Sequence, residues 1–205
     1  MTDISFRESN GRASTIQLPP ELTSGGGFKV GLVDGMPEGD KLIGKTGYQL
    51  KRVSTSFNRP ADTMAYAIGD AATNSTSAPV VFQLDLGAAG AVAGQGIEVQ
   101  KLRITSSVKG AVLPLFNAFL SSVTFTTSND NAALDVADNI MTAGSWFACD
   151  VQNYTAGNAS ATCLIPQPLV LDAADTKLYG TLQLANAYTP ASGETFTITA
   201  WVALL

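Results

Sequence analysis

Residues 39–70 read GDKLIGKTGYQLKRVSTSFNRPADTMAYAIGD, and the fold class turns on the residues after Thr46. Gly39, four intervening residues and Gly44-Lys45-Thr46 spell G-x-x-x-x-G-K-[ST], the phosphate-binding loop of many nucleotide hydrolases. That loop works only when a buried strand delivers it and a helix comes next, so that backbone N–H groups and the helix N-terminus face the phosphates. Upstream, Asp34-Gly35-Met36-Pro37-Glu38 is a turn-forming run that stops a strand short of the loop. Downstream, Gly47 to Pro60 is rich in β-branched and aromatic residues and closed by proline, which predicts a strand. Val80 to Asp85 imitates an apolar strand ending in a magnesium-binding carboxylate, but such runs are common in any β protein. The match is expected to be inert, and a nucleotide-binding enzyme using Gly39–Thr46 ranks third among the functions weighed.

Working outward, the chain from Tyr48 onward reads as strands separated by Gly, Pro, Asn, Asp and Ser clusters. Leu50–Phe57, Val80–Leu86, Ile97–Ser106, Ala118–Thr126, Trp146–Gln152, Ala161–Ile165, Lys177–Ala187 and Thr195–Leu204 are the predicted elements. Phe196, Ile198, Ala200, Val202 and Leu204 alternate with Thr195, Thr197, Thr199, Trp201 and Ala203, so the final strand has one apolar face. Trp201 falls on the other face, as packing against the leader or as a subunit contact. Ile97 to Val99 and Leu102 to Ile104 alternate in opposite registers, which a bulge near Gln100-Lys101 reconciles. Pro114 makes Val112–Phe116 an edge or entry segment. Strands with no helices between them predict an all-β, antiparallel two-sheet sandwich, with a jelly roll as first choice.

Residues 1–47 are read as an N-terminal arm and hinge, and 48–205 as the sandwich domain. Pro19-Pro20 and Gly25-Gly26-Gly27 break the leader, and its apolar residues show no sustained period. Such a segment gains too little burial of its own to offset its ordering entropy. Phe28, Leu32 and Val33 are the candidate anchors by which the arm would hold a partner.

Composition excludes several classes. The chain has 205 residues, only 14% of them charged, and a net charge of −5, which disfavours nucleic-acid binding. Lys41, Lys45, Lys51 and Arg52, with Arg59 nearby, form a local basic cluster read as a solvated strand face. Histidine is absent, removing the commonest general base and the ordinary zinc ligand set. Asp34, Glu38 and Asp40, or Asp130, Asp135 and Asp138, lack the spacing of a calcium loop and are read as turn and cap residues. Cys149 and Cys163 flank a turn-rich segment and are expected as buried thiols rather than a disulfide. No signal peptide or long apolar segment is visible, so no membrane association is expected.

Met36-Pro37-Glu38-Gly39-Asp40-Lys41-Leu42-Ile43-Gly44-Lys45, then Arg59-Pro60-Ala61-Asp62-Thr63-Met64-Ala65-Tyr66-Ala67-Ile68-Gly69-Asp70, and finally Tyr188-Thr189-Pro190-Ala191-Ser192-Gly193-Glu194-Thr195-Phe196-Thr197-Ile198 resemble segments of a group of tailed-bacteriophage virion proteins. The resemblance spans about residues 36–205 and is anchored at its two ends. It implies a virion structural protein with no catalytic residues, cofactor or metal, assembled in the bacterial host cytoplasm. Within that group, a capsid decoration or cement protein fits a compact sandwich with a long arm. Its partners would be the major capsid protein or another virion protein, and its own copies as a homotrimer. The alternative is a receptor-binding or fibre-type module recognising host surface glycans.

Overall fold

A computed structural model describes residues 2–7, 13–18, 50–108, 113–153, 159–163 and 166–205, with the side chains of 2–7, 13–18, 150–153 and 159–163 excepted. The chain forms two compact units, Met1–Thr46 and Gly47–Leu205.

In the first unit, β1 (Thr2–Arg7) and β2 (Ala13–Leu18) pair antiparallel, from Thr2 opposite Leu18 to Arg7 opposite Ala13. The leader therefore holds a regular element where its scattered apolar residues suggested none. Two strands alone are marginal in water, so local pairing does not replace a core.

The second unit contains β3 (Leu50–Asn58), β4 (Ala71–Ala72), β5 (Phe82–Asp85), β6 (Gly96–Ser106), β7 (Phe116–Ser121), a four-residue helix α1 (Asp138–Met141), β8 (Gly144–Asn153), β9 (Ala159–Cys163), β10 (Gln167–Val170), β11 (Lys177–Leu184) and β12 (Thr195–Leu204). One sheet runs β3-β12-β6, with β10 and β9 in succession along the far edge of β6. The other runs β8-β7-β11, with β5 and β4 in succession along the far edge of β11. Every pairing is antiparallel, giving the expected all-β sandwich. β8 joins the sheets: Gly144 to Cys149 pair with β7, and Asp150 to Asn153 pair with β9.

The core lies between the sheets. Leu102, Ile104, Phe196, Ile198 and Val202 from one meet Leu84, Phe116, Leu120, Leu178 and Leu182 from the other. Phe196 meets Phe57 edge-on at 5.8 Å and Phe116 at 5.2 Å between ring centroids. Such buried side chains contribute about 1.5–3 kcal/mol each. The bulge falls where the alternation required it: Trp201 opposes Lys101, the next residue Val202 opposes Val99, and Gln100 is the extra residue. Ile97, Val99, Leu102 and Ile104 are consequently all buried. Gly180 sits mid-strand in β11 because a Cβ there would collide with the Phe82 ring and come within 2.7 Å of Leu120 Cδ2.

All eight predicted strands are present, with shifted ends. β7 stops at Ser121 rather than Thr126, because Phe125 leaves the sheet and packs on the outer face of β7 against Phe119, at 5.5 Å. Trp146 meets Phe119 at 5.2 Å, and the Thr127 and Thr181 hydroxyls lie 2.8 Å apart. Residues 122–137 thus cover the outside of the second sheet, and Phe119 is fully buried there. Among the described residues no helix is long and apolar enough to cross a membrane.

Candidate functional site

Two of the three sequence segments that carry the virion resemblance, 59–70 and 188–198, meet in space, and the third, 36–45, lies outside the described residues. Arg59 N–H donates to the Glu194 carbonyl at 2.9 Å, and Tyr66 and Tyr188 exchange backbone bonds at 2.8 and 3.3 Å. Gly193 N–H donates to the Pro60 carbonyl at 3.3 Å. Gly69 and Gly193 have φ of 94° and 64°, so each segment turns at a position that disfavours any side chain.

Inside this junction lies a buried polar knot. Arg59 is only 2% exposed. Its Nε donates to Tyr66 Oη at 3.0 Å, and its Nη2 to Asp62 Oδ1 at 2.7 Å and Asp130 Oδ2 at 3.2 Å. Nη1 donates to the carbonyls of Asp62 and Ala191. Asp130, whose side chain is fully buried, also accepts from Tyr66 Oη at 2.6 Å and Thr73 N–H at 2.9 Å. Glu194, also buried, accepts from Tyr188 Oη at 2.8 Å, from Ser106 Oγ, and from Ala191 N–H at 3.1 Å. Among the described residues no buried side-chain nitrogen or oxygen lacks a partner.

Electrostatics follow the geometry. Burial alone would lower the Arg59 pKa, but its bonds to Tyr66 and Asp62 and the charge of Asp130 outweigh that and hold it above its ordinary value. Burial, then the bond to Asp130, pushes Tyr66 well up, and burial with the Glu194 bond does the same for Tyr188. The Arg59 bond holds the half-exposed Asp62 below its ordinary value. With every donor and acceptor engaged, the knot is a structural clasp.

The positions singled out from sequence fare differently. Phe28, Leu32, Val33 and the Gly39–Thr46 loop lie outside the described residues, as do Lys41 and Lys45. The chain beyond that loop is strand β3, where a phosphate loop calls for a helix. Arg59 does not belong to a surface basic cluster: it is buried and ion-paired, while Arg52 is exposed and Lys51 half-buried. Asp130 lies in a turn, as expected, closed by the Ala132 N–H bond to the Asn129 carbonyl, and is in addition a buried counterion for which Arg59 supplies the compensating charge. Asp135 and Asp138 are exposed. Cys149 is buried, its Sγ 3.7 Å from the Phe147 carbonyl oxygen. A signal for the missed Arg59–Asp130 pair existed only in the closeness of Arg59, Asp62 and Tyr66 along the chain; Asp130 is 71 residues away.

Other surface features lie away from the clasp. An open cleft of about 600 Å³ lies beside β10 and the start of β8, lined by Ser122, Thr142, Gly144, Pro168, Val170 and Leu205 among others. On the outward face of the first sheet, Trp201 stands opposite Arg52 of β3 and Lys101 of β6. The Arg52 guanidinium carbon lies 5.8 Å and the Lys101 Nζ 5.0 Å from the ring centroid. Trp201 is therefore held by cations on both neighbouring strands.

No protein-family model matches the chain, and no curated protein matches it. Among solved structures, a chain from the cryo-EM structure of mud crab dicistrovirus is similar over 98% of this chain and 89% of that one, at 13% identity and a TM-score of 0.25.

Proposed function

We propose that this chain is a virion structural protein of the tailed-bacteriophage type, and specifically a capsid decoration or cement protein that binds capsid subunits and stabilises the head. The observation that carries the reading is the meeting of the two motif segments. Arg59, Asp62, Tyr66, Gly69, Tyr188, Gly193 and Glu194 each perform a structural task at one junction, which supports reading these motif residues as architectural rather than as scattered letters. The strand orders add support. Taking β3, β5, β6, β7, β8, β10, β11 and β12 in turn as eight strands, the sheets read first-eighth-third-sixth and second-seventh-fourth-fifth. We read that order as a jelly roll, an architecture used by capsid and lectin domains alike.

Attachment is assigned to residues 1–35, whose pairing of β1 with β2 is marginal without an added surface. The test uses particles that lack the protein. Full-length chain is expected to bind them and raise their resistance to osmotic or chelator shock. A chain deleted for residues 1–35 is expected to remain folded, with an unchanged thermal midpoint, and to lose most binding. Binding to host cells or their surface glycans, with none to particles, would replace the cement reading with the receptor-binding one. A collapsed midpoint would make the arm part of the core.

A further inference from the structure

We infer that the Arg52–Trp201–Lys101 row is a self-association surface that docks onto the acidic surface of a second copy of this chain. The inference rests on the reading above and on the homotrimer that the resemblance implies. Three observations carry it.

The first is preorganisation. Trp201 lies between two cations supplied by the strands on either side, at 5.8 and 5.0 Å. A long basic side chain laid along an aromatic ring has already lost much of the freedom that binding would otherwise remove. Arg103 continues the row two residues along β6, opposite Thr199, while Glu98, opposite Ala203 and hydrogen-bonded by Gln100 at 2.6 Å, closes its far end.

The second is the state of the surrounding face. Ser54 and Thr199 hydroxyls lie 3.0 Å apart, Ser56 and Thr197 lie 2.9 Å apart, and Thr195 Oγ1 donates to Asn58 Oδ1 at 2.7 Å. These groups satisfy one another across the β3–β12 ladder, so covering the face strands few of them without partners. The outer face of the opposite sheet is already occupied by residues 122–137.

The third is charge, and it selects the occupant. Residues 47–205 hold seven Lys and Arg against eleven Asp and Glu, a net charge of −4. Arg52, Lys101 and Arg103 sit in this row and Arg59 is buried in ion pairs. The remaining surface carries Asp135 and Asp138 exposed and Asp70, Asp172 and Asp175 partly so, against the half-buried Lys51 and Lys177, while Asp85 lines a small cleft with Arg52 itself. The basic row is thus complementary to other parts of its own chain. A nucleic acid meets the net negative charge of the whole domain, which a row this short does not overcome. Because the row and its acidic target are different surfaces, the contact is heterologous and can close into a ring.

The experiment is sedimentation velocity on the full chain at 50 and 500 mM NaCl, beside the double variant R52E/K101E and the control K177E. The wild-type chain and K177E are expected to form an oligomer whose dissociation constant rises about tenfold or more with salt, and R52E/K101E to lose it by a similar factor at low salt while keeping its thermal midpoint. A monomer at every salt concentration, or an oligomer indifferent to the double variant, overturns the inference. Should the double variant unfold, W201F with R52Q replaces it, with the same expectations. Particle binding is measured in parallel. Salt-sensitive self-association without particle binding leaves this inference standing and removes the cement reading. Particle binding lost with the oligomer intact overturns the inference and assigns the row to an acidic partner on the particle.

Discussion

Replacing Arg59 by alanine gives the sharpest test of the clasp. The substitution removes five hydrogen-bond contacts, to Tyr66, Asp62, Asp130 and the carbonyls of Asp62 and Ala191. It leaves the Asp130 carboxylate, with no solvent exposure, supported only by Tyr66 and Thr73. Breaking a buried pair from one side costs about 3–5 kcal/mol, mostly because the surviving charge is stranded. In a domain of this size each kcal/mol lowers the thermal midpoint by about 2–4 °C, so the expected fall is about 6–20 °C. Asp62→Asn removes a partner whose side chain is 38% exposed and is expected to cost under about 1 kcal/mol. Pairing R59M with D130N removes both charges, so the double variant should be less destabilised than the sum of the singles by about 1 kcal/mol or more. Calorimetry or denaturant titration on wild type, R59A, D62N, R59M, D130N and R59M/D130N reads this directly. An R59A midpoint within about 2 °C of wild type, or single effects that add within about 0.5 kcal/mol, would refute the argument that Arg59 and Asp130 compensate each other.

Gly180→Ala is expected to cost about 1–3 kcal/mol or more by overpacking against Phe82 and Leu120, and F82L in the same chain should recover part of it in the same melts. For alkaline pH the sign comes from the raised phenols. Tyr66 and Tyr188 are held neutral in the folded state, so their contribution is constant below the unfolded value of about 10 and declines above it, by about 1.4 kcal/mol per pH unit for each. Tyr179, pushed up to about 12 by its bond to Asp175, adds to the same trend. Absorbance at 295 nm should show fewer than the five tyrosines of the chain ionising at about pH 11 while it stays folded, against all five in denaturant.

What could be read from sequence was whatever the chain encodes locally. Alternation in 195–204 located β12 and its apolar face, and the phase change across Gln100-Lys101 located the bulge. The two-residue β4 and the four-residue β10, which includes Pro168, are too short and too irregular in pattern to declare themselves. Val123, Thr124 and Phe125 have strand propensity, yet Phe125 spends it on the outside of the sheet, where Phe119 offers an aromatic partner. The clasp was visible only as letters. Arg59 and Glu194 look like surface charges, because sequence displays their polarity but not the distant residues, Asp130 and Ser106, that make their burial tolerable.

The position of that clasp also determines how the domain bears tension. β3 is an edge strand, joined to β12 by nine residue pairs from Leu50 opposite Ala203 to Asn58 opposite Thr195. A pull on the chain upstream of Leu50 loads those pairs one after another, as a zipper opened from its free end, and must draw Val53 and then Phe57 out of the core. Opening stops at the next residue. Arg59 is fastened at once to Tyr66, Asp62, Asp130 and the Glu194 carbonyl, so the load is shared among several segments instead of one ladder. The outcome, for a load applied upstream of Leu50, is a first stage in which β3 peels away and a firm stop at Arg59 that protects the sandwich behind it.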